Sequence, residues 1–551
     1  MKIERWMYSA ALALAALLGM PGSLAAQKPA SAQANHYQLN VVGTFGGPNS
    51  SLMDQGVPGG VFLNNDGVMT GYADLNAPDP YLKPNDYAFI DGYIDHAFLW
   101  QGGFITDLGV LPHGWSSAPL AISANGLIAG VAVNGEIDPL IPGFPEQRGV
   151  LWKDGKILDL GTVPEGGYEN YANSVNSSGQ VVGTAFNTIP DPNTLGTHIF
   201  NNLFSFTQAR AFLWQDGAMQ DLGTLGGNDA VAFLINEQGQ VTGWSYTSTT
   251  QADAGCYLPL ATGSFLWDEA HGMRNLGSLG GGCTVAQALN DHGQVVGGSL
   301  LIGGGTQRAF LWQDGAMQDL GGFPGWDTLP FAVNEAGQTI GAGGSPNTFG
   351  FHAVYWPHIG LGVELGAIGT DPCSSAKAIN NSGQIVGDSV SLYNCINSGD
   401  ASRAFLWQNG AIFDLNALIP PGSALYLVHP QNINDQGEIA GFGVDADGNT
   451  HAFLLIPCDQ NHPNLEGCDY SLVDSASATV SESPRKQTAP PRSKGSLRPT
   501  LHPLRPTLKA GTESDSLLLE RDDLRRMFPQ TSSACTYPRY NCTVGHTTGC
   551  S

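Results

Sequence analysis

One unit of sequence recurs along most of the chain, and its period constrains the fold more than any single residue does. The unit contains four short apolar runs, seen most clearly between residues 210 and 243: run a (Ala-Phe-Leu-Trp), run b (Met-Gln-Asp-Leu-Gly), run c (Phe-Leu-Ile-Asn) and run d (Gly-Gln-Val-Thr-Gly). Apolar runs of this length, rich in aromatic and β-branched residues and bounded by Gly, Asn and Asp, predict β-strands. Each repeat is therefore predicted to form a four-stranded sheet.

The repeat occurs eight times between residues 37 and 457, with a period of about 53 residues that is typical of propeller blades. Run d closes with glycine at Gly71, Gly130, Gly183, Gly243, Gly297, Gly341, Gly387 and Gly441. Residues 37–47 align with run b and lack a run a, whereas residues 451–457 are a run a without a run b. Joining these ends would complete one blade and leave no open sheet edge, which an open solenoid would not achieve. We predict an all-β fold, a β-propeller of about eight four-stranded blades closed by its N- and C-terminal strands.

The turns between the runs have their own signatures. Asp-Gly or Asn-Gly separates run a from run b, and Asn-x-x-Gly separates run c from run d. Asp-Gly and Asn-Gly tolerate the positive φ of a tight hairpin, and Asn-x-x-Gly suits a type I turn followed by a left-handed glycine. Runs a–b and c–d are thus predicted hairpins, and the b→c and d→a connections are predicted to share one face of the ring.

These motifs resemble the bacterial extracellular repeat family named HAF, after His-Ala-Phe. The matching text includes residues 96–100 (His-Ala-Phe-Leu-Trp), 221–227 (Asp-Leu-Gly-Thr-Leu-Gly-Gly) and 290–297 (Asn-Asp-His-Gly-Gln-Val-Val-Gly). The chain departs from the pattern at Gly263-Ser264, at Ser123 in place of Asn, and at Leu455 in place of Trp. The resemblance implies a secreted or cell-surface repeat protein with no established biochemical activity.

The ends of the chain differ in composition from the repeat region. Residues 1–26 combine Lys2 and Arg5 with a short apolar run and a small-residue ending, which predicts a secretory signal peptide and an extracytoplasmic location. Residues 458–512 are predicted to be a disordered, Ser/Pro-rich basic linker, and residues 513–551 a short helix followed by a Cys-containing tail. This tail would tether the protein to an anionic envelope, bind the acidic ring itself, or remain unstructured.

The charge of the repeat region excludes several partners. Subtracting both ends from the total leaves 10 basic and 37 acidic side chains between residues 27 and 457, a net charge of −27. Such a body repels nucleic acid at long range, so we expect no nucleic-acid partner. No apolar run after the signal peptide is long enough for a transmembrane span. We expect a monomer.

Secretion makes disulfides plausible for the nine cysteines. The candidate local pairs are Cys256/Cys283, Cys373/Cys395 and Cys458/Cys468, which leaves an odd thiol among Cys535, Cys542 and Cys550. No Cys-x-x-Cys with accompanying His spacing occurs, so no zinc is predicted. The segment 445–449 resembles the start of a calcium loop but has Ile456 where a bidentate Glu is required, so we predict a simple turn and no metal or cofactor.

Two sets of repeated residues are interpreted as structural. The acids Asp107, Asp159, Asp221, Asp319 and Asp414 follow run a, and the bases His96, Arg148, Arg210, Arg308 and Arg403 precede its last residue by four positions. Pairing Trp152 with Ile157 would place Val150 opposite Asp159 and bring Arg148 within reach on the same strand face. A charge pair present in five blades is predicted to be a staple and not a catalytic site. The run-a tryptophans Trp100, Trp152, Trp214, Trp267, Trp312, Trp356 and Trp407 are predicted to form inter-blade core, with sugar stacking as the alternative.

The irregular parts of the repeat carry the functional predictions. Insertions between runs d and a are rich in aromatic and acidic residues, and two tryptophans outside run a lie in b→c segments on the same predicted face. The candidate ligand-binding residues are Tyr81, Tyr87, Tyr93, Trp115 and Trp326. The alternative is that these insertions only lengthen the loops and bind no ligand.

We interpret the protein first as a binding or interaction scaffold at the cell envelope, whose ligand is a carbohydrate or an envelope protein. The alternatives are a propeller enzyme acting on polysaccharide, with Asp91, Asp95, Glu136 or Asp138 as candidate acid and base, and a purely structural surface protein. No residue pair in the sequence has the spacing that marks a catalytic motif, so no catalytic residue is assigned and the protein is more consistent with a non-enzyme.

Overall fold

The computed structural model describes residues 34–465 together with Cys468, except for residues 53–58, 81–91, 142, 196–206, 250–259, 304, 324–325, 345–349, 361 and 392–401. The predicted signal peptide, helix and Cys-containing tail lie outside these residues, as does most of the predicted linker. None of the described residues belongs to a helix long and apolar enough to cross a membrane.

The described chain consists of short strands arranged as eight four-stranded units. The first strand is β1 (Tyr37–Val41), and the first three complete units are β2 (Gly46–Ser51), β3 (Met69–Pro78), β4 (Tyr93–Gln101) and β5 (Phe104–Asp107); β6 (Ser117–Ile122), β7 (Ile128–Ile137), β8 (Pro145–Lys153) and β9 (Lys156–Asp159); β10 (Asn170–Val175), β11 (Val181–Pro190), β12 (Thr207–Gln215) and β13 (Ala218–Asp221). The next two are β14 (Gly226–Ile235), β15 (Val241–Thr247), β16 (Thr262–Asp268) and β17 (Gly272–Asn275); β18 (Gly280–Leu289), β19 (Val295–Leu301), β20 (Gln307–Gln313) and β21 (Ala316–Asp319). The last three are β22 (Thr328–Val333), β23 (Thr339–Gly344), β24 (Phe351–Trp356) and β25 (Val363–Gly366); β26 (Cys373–Ile379), β27 (Ile385–Val390), β28 (Ser402–Gln408) and β29 (Ala411–Asp414), followed by a 3-10 turn (Leu415–Ala417); β30 (Tyr426–Ile433), β31 (Ile439–Val444) and β32 (Thr450–Pro457).

The predicted β-propeller is confirmed, including its closure. Within each blade the antiparallel strand order is c, d, a, b, and the eighth blade is completed by pairing β1 with β32. Tyr37 lies opposite Pro457 in this ladder, so the start and the end of the repeat region share one sheet. A single parallel bridge from Thr262 to Cys283 links the fourth and fifth blades. Pairing the two ends removes the open edge that the first and last strands would otherwise present.

The hairpin turns have the predicted conformations. Asp154, Asp216, Asp314 and Asn409 all have φ of 52°, and each is followed by a glycine with positive φ. These are the left-handed conformations that a two-residue hairpin of the type I′ class requires. Because c→d and a→b turns lie at one end of the strands and b→c and d→a connections at the other, the ring has two faces. We call them the turn face and the loop face.

The predicted charge staples form in four of the five blades. Val150 lies opposite Asp159 as predicted, and Arg148 contacts that carboxylate at 3.3 Å. The other pairs are His96–Asp107 at 2.9 Å, Arg210–Asp221 at 2.6 Å and Arg403–Asp414 at 3.7 Å. The prediction is wrong for Arg308, which makes no ion pair with any described residue and whose Nε has no hydrogen-bond acceptor there. Arg403 also contacts Asp371 at 2.7 Å, so its staple is shared between two carboxylates.

The run-a tryptophans are core residues in six blades, where each is at most 8% exposed. They pack with the run-a phenylalanines, which are fully buried in most blades. This confirms the interpretation as inter-blade core, because a buried indole contributes chiefly by apolar area. Trp407 is the exception, being partly exposed.

The c→d turns form a hydrogen-bonded circle on the turn face. The Asn side chain of each turn donates from Nδ2 to a backbone carbonyl in the next blade's turn, as Asn236 does to Asn290 O at 3.0 Å. The same link closes the ring, since Asn434 Nδ2 donates to Asn64 O at 3.0 Å across 370 positions of sequence. Where Ser123 replaces Asn in the second blade, Asn125 supplies the amide and donates to Ser177 O at 2.9 Å. The sequence pattern predicts only a turn at these asparagines, and their bonds between blades are a finding of the structure.

The described residues that follow residue 58 in the first blade reach the centre of the ring. In the other blades a bulge interrupts strand c, as between Pro119 and Ala121. In the first blade the described part of this segment begins at Gly59, and Phe62 N donates to Asn432 Oδ1 of the eighth blade at 2.8 Å. A Cβ on Gly59 would meet Leu234 Cδ1 at 3.0 Å and Gln287 O at 3.2 Å, in the fourth and fifth blades. The described part of this segment therefore reaches the opposite wall, and the centre is not an open tunnel at this level.

The disulfide predictions are confirmed for Cys458–Cys468. Cys283 and Cys373 are each disulfide-bonded as well. Their predicted partners, Cys256 and Cys395, lie outside the described residues, so those two pairings stay predictions. Residues 458–465, which the sequence analysis assigned to the linker, pack on the propeller, and Cys458 N donates to His36 O at 2.8 Å.

Candidate functional site

The described members of the predicted ligand-binding set, Tyr93, Trp115 and Trp326, do not form one cluster. Tyr93 begins β4, and Trp115 lies just before β6; the two segments are joined where Asp95 N donates to Ser116 Oγ at 3.3 Å. Trp115 is partly buried against the core. Trp326 lies between the fifth and sixth blades, on the other half of the ring, and packs over the backbone of Gly344. Tyr81 and Tyr87 lie outside the described residues.

The carboxylates proposed for an enzyme are also dispersed. Asp95 is 1% exposed and lies directly opposite Asp74, itself fully buried, on the paired strands of the first blade. Asp138 is buried, and its carboxylate accepts from Leu140 N at 2.6 Å; burial raises its pKa. Glu136 is exposed, and Asp91 lies outside the described residues. Of the described candidates only Glu136 is exposed, so Asp95, Glu136 and Asp138 offer no pair of accessible carboxylates.

A polar cavity of about 490 Å³ lies on the opposite, turn face. It spans the sixth, seventh and eighth blades, and its outer wall is built by residues that flank the propeller in sequence. The lining comprises Asn35, Gln338, Tyr355, Ser382, Gly383, Gln384, Trp407, Gln408, Asn409, Asp435, Gln436, Gly437, Pro457, Asp459 and Asn461. Its volume lies within the range of small-molecule sites, and its walls combine side-chain amides with two aromatic rings.

The aromatic part of the cavity arises from departures from the repeat. In the sixth blade, run a reads Ala-Val-Tyr-Trp, so Tyr355 stands where other blades have leucine. Its ring lies against Trp407, with centroids 5.5 Å apart and planes tilted by 48°. Both rings are partly exposed. The leucines that take the place of Tyr355 in the fourth and seventh blades, Leu266 and Leu406, are buried. The sixth and seventh blades thus expose two adjacent aromatic rings on the turn face.

A second departure from the repeat removes a hydrogen bond between two glutamine side chains beside these rings. In the third, fifth and seventh blades the Gln of the c→d turn donates from Nε2 to a Gln at the end of strand a, as Gln384 does to Gln408 at 2.9 Å. In the sixth blade the acceptor position holds Pro357. Gln338 keeps the bond that its Oε1 accepts from Asn334 at 2.8 Å, but its Nε2 has no acceptor among the described residues. An amide donor is therefore left at the cavity wall.

The outer wall depends on the segment that follows the last strand. Asp459 and Asn461 line the cavity, and the disulfide Cys458–Cys468 closes the loop that carries them. Asp459 Oδ1 accepts from Asn461 N at 3.0 Å and from His462 Nδ1 at 2.8 Å, which fixes the shape of the wall. This wall occurs once in the ring, because it is made by the segments that flank the propeller in sequence.

The two carboxylates of the cavity are committed to the fold. Asp435 Oδ1 accepts from Asn381 N and its Oδ2 from Asn381 Nδ2, both at 2.9 Å, as part of the turn-face circle. Asp459 accepts the bonds described above. Because each carboxylate holds backbone or side-chain donors, the pair suits ligand positioning better than proton transfer.

A separate cluster of titratable groups lies on the inner strands of the seventh and eighth blades. Asp388 is 3.6 Å from Lys377 Nζ and 3.9 Å from His429 Nδ1. Asp388 and His429 are buried, whereas the Lys377 side chain is 31% exposed. The cluster was not recognised from the sequence, since its members belong to different strands and two different blades.

The cavity could have been found from sequence only by reading departures from the repeat as a group. Tyr355 and Pro357 lie two positions apart and replace the repeat's leucine and glutamine. What no pattern reveals is that Trp407 and Asp459 contact the same cavity, because this requires the ring to be closed first.

No protein-family model matches the chain, and no characterised protein sequence matches it either. Solved structures with a similar fold include an acylaminoacyl peptidase from Pyrococcus horikoshii, with 11% identity, a TM-score of 0.34, and coverage of 60% of this chain and 49% of that one. A gluconolactonase from Xanthomonas campestris has 10% identity and a TM-score of 0.27 over 76% of this chain and all of that one. Trypanosoma rangeli sialidase has 11% identity and a TM-score of 0.27, covering 65% of this chain and 56% of the other.

The chain spans about half the length of the acylaminoacyl peptidase that it matches. The similarity is one of fold alone and assigns no activity to this chain.

Proposed function

We propose that the protein acts outside the cytoplasm as a β-propeller that binds carbohydrate in the turn-face cavity. The observation that carries the proposal is the pair of partly exposed rings, Tyr355 and Trp407, beside an amide donor of Gln338 that has no acceptor among the described residues. Sugars present apolar C–H faces that stack on aromatic rings and hydroxyls that bond to amides, so such a wall suits them. The extracytoplasmic location is supported by the signal-like N-terminus and the disulfide Cys458–Cys468.

Glycan-array binding of the mature chain, followed by calorimetry, tests the proposal. Tyr355→Leu restores the residue of the repeat and removes the exposed ring, so we expect at least about tenfold weaker sugar binding with the fold retained. Trp115→Phe on the loop face serves as the matched control and should leave the affinity unchanged. If sugar affinity fell only in the Trp115 variant, the binding site would lie on the loop face and the proposal would be wrong.

The inner-strand cluster supports a second candidate, an enzyme that acts on polysaccharide. Asp388 is buried beside a histidine and a partly exposed lysine, an arrangement that can move a proton. Turnover by the mature chain on a polysaccharide panel, abolished by Asp388→Asn with binding in the turn-face cavity intact, would establish this candidate. Turnover that persists in Asp388→Asn, or no turnover on any polysaccharide, would exclude a role for the cluster.

A further inference from the structure

We propose that the turn-face cavity selects uncharged oligosaccharides, of hexose or N-acetylhexosamine type, and rejects sugars that carry carboxylate or phosphate. This inference rests on the proposed carbohydrate binding and names the class of sugar bound at that site. It concerns the sign of the charges around the cavity, which can be read independently of the aromatic rings.

None of the residues that line the cavity is Lys, Arg or His. The charged lining residues are Asp435 and Asp459, and the remaining polar walls are amides and one serine. Proteins recognise sugar carboxylates and phosphates chiefly through Arg or Lys, which supply charge-assisted bonds. An anionic sugar would therefore meet two carboxylates with no lining cation to offset them.

A histidine that contacts the wall does not change this conclusion. His462 contacts the wall from outside the lining set, with Nδ1 2.8 Å from Asp459 Oδ1 and Nε2 3.8 Å from Glu438 Oε1. Its ring is thus held between two carboxylates of the protein. The wider field has the same sign, since residues 27–457 carry a net charge of −27. Such a field lowers the local concentration of anionic ligands before they reach the cavity.

The neutral groups that remain match the needs of an uncharged sugar. Amides of Gln338 and Gln436 offer both donors and acceptors, which are the partners of hydroxyl and N-acetyl groups. Tyr355 and Trp407 provide the stacking surface. No lining group requires a charged ligand for its satisfaction.

Calorimetric titration of the mature chain with matched sugar pairs tests the inference. Each neutral oligosaccharide, such as cellotetraose, is compared with a uronate counterpart of the same length. We expect the neutral member to bind about tenfold or more tightly than its uronate. The affinity of the neutral sugar should also be insensitive to salt between about 50 and 500 mM, because no ion pair forms.

A charge introduced at the cavity wall sharpens the test. Gln436 is exposed, and its side chain forms no hydrogen bond with the described residues, so Gln436→Lys adds a cation at little structural cost. We expect this variant to bind the uronate several-fold more tightly than the unmodified protein does, with a gain that salt removes. Ser178→Lys, at the same turn position of the third blade, is the matched control and should produce no gain.

The outcomes separate the two proposals. If neutral and uronate sugars bind equally well and Gln436→Lys has no effect, the selectivity is overturned while carbohydrate binding stands. If no sugar of either kind binds, the proposed function is overturned and this inference with it.

Discussion

Two parts of the turn face are built from the same repeat and differ in what they leave exposed. Between the fourth and fifth blades the turn asparagines bond in sequence, and the tryptophans Trp267 and Trp312 are buried. Between the sixth and eighth blades the asparagine circle continues, but Tyr355 and Pro357 depart from the repeat, Trp407 is partly exposed, and a cavity opens. Features shared by the blades therefore stabilise the ring, and features confined to one part of the ring are the candidates for function.

Replacing equivalent tryptophans should separate these two roles. Trp312→Ala removes a buried indole and should lower the free energy of unfolding by about 3–5 kcal/mol. Trp407→Ala removes a partly exposed ring and should cost only about 1–2 kcal/mol, yet abolish sugar binding. Chemical denaturation and calorimetry on both variants provide the measurement. Equal destabilisation, with sugar affinity retained by Trp407→Ala, would mean that the two positions are both purely structural.

The loop face offers a pH test, because it contains a carboxylate with a strongly raised pKa. Asp229 is fully buried; this burial, with a contribution from nearby Asp191, raises its pKa to about 7 although Leu195 N and Ala209 N donate to it. The folded state therefore holds the proton more tightly than the unfolded chain. The associated stability is complete below about pH 4 and is lost as the pH rises through about 7, a change on the order of 4 kcal/mol.

Asp229→Asn cannot titrate, so the difference in unfolding free energy between it and the unmodified protein should vary with pH over this window. In the part of the chain that the structure describes, the side chains of Tyr246, Asp191 and Thr194 interact with Asp229, and all three are retained in the variant. A difference that is constant from pH 4 to pH 8 would show that Asp229 does not titrate there.

Asn434, whose side chain closes the circle of turn asparagines, should contribute as much to the free energy of unfolding as an asparagine within the circle. Asn434→Ala deletes bonds from Nδ2 to Asn64 O and to Glu438 Oε2, and two bonds that Oδ1 accepts from backbone N–H groups. We expect a loss of about 2–3 kcal/mol in unfolding free energy. Asn236→Ala, within the continuous part of the circle, is the comparison and should lose a similar amount. If only Asn236→Ala were destabilised, the pairing of β1 with β32 would be sufficient to close the ring without the bond from Asn434 to Asn64.

The smallest effect is expected for the charge staples. Arg210 contacts Asp221 at 2.6 Å, whereas Arg308 pairs with no described carboxylate. Arg210→Gln should therefore cost about 1 kcal/mol and Arg308→Gln close to nothing. Thermal unfolding at low and high salt measures both, and the Arg210 effect should shrink as salt is raised. A larger loss for Arg308→Gln would mean that its stem packing outweighs the staple.

The sequence sufficed for those features that local chemistry determines in every copy of the repeat. Asp-Gly turns specify hairpins through positive φ, and the register that places Val150 opposite Asp159 follows from the turn length. Closure followed from the incomplete first and last repeats. These features depend on residues a few positions apart, for which propensity and period are reliable guides.

The remaining features depend on residues that meet only after the ring has formed. Asn434 reaches Asn64 across 370 positions, and Gly59 reaches Leu234 across the centre of the ring. The sequence pattern also could not predict that Arg308 lacks its ion pair, because both Arg308 and Asp319 are present in the motif. The loop-face prediction concentrated on conspicuous aromatic insertions, whereas the described cavity is made by single substitutions within the regular repeat.

A crystal structure of the mature chain with a bound neutral oligosaccharide tests the central claim most directly. The account predicts sugar density in the turn-face cavity, with a ring stacked on Trp407 or Tyr355 and a hydroxyl within hydrogen-bonding distance of Gln338 Nε2. Sugar bound instead on the loop face beside Trp115, with the turn-face cavity empty, would contradict it.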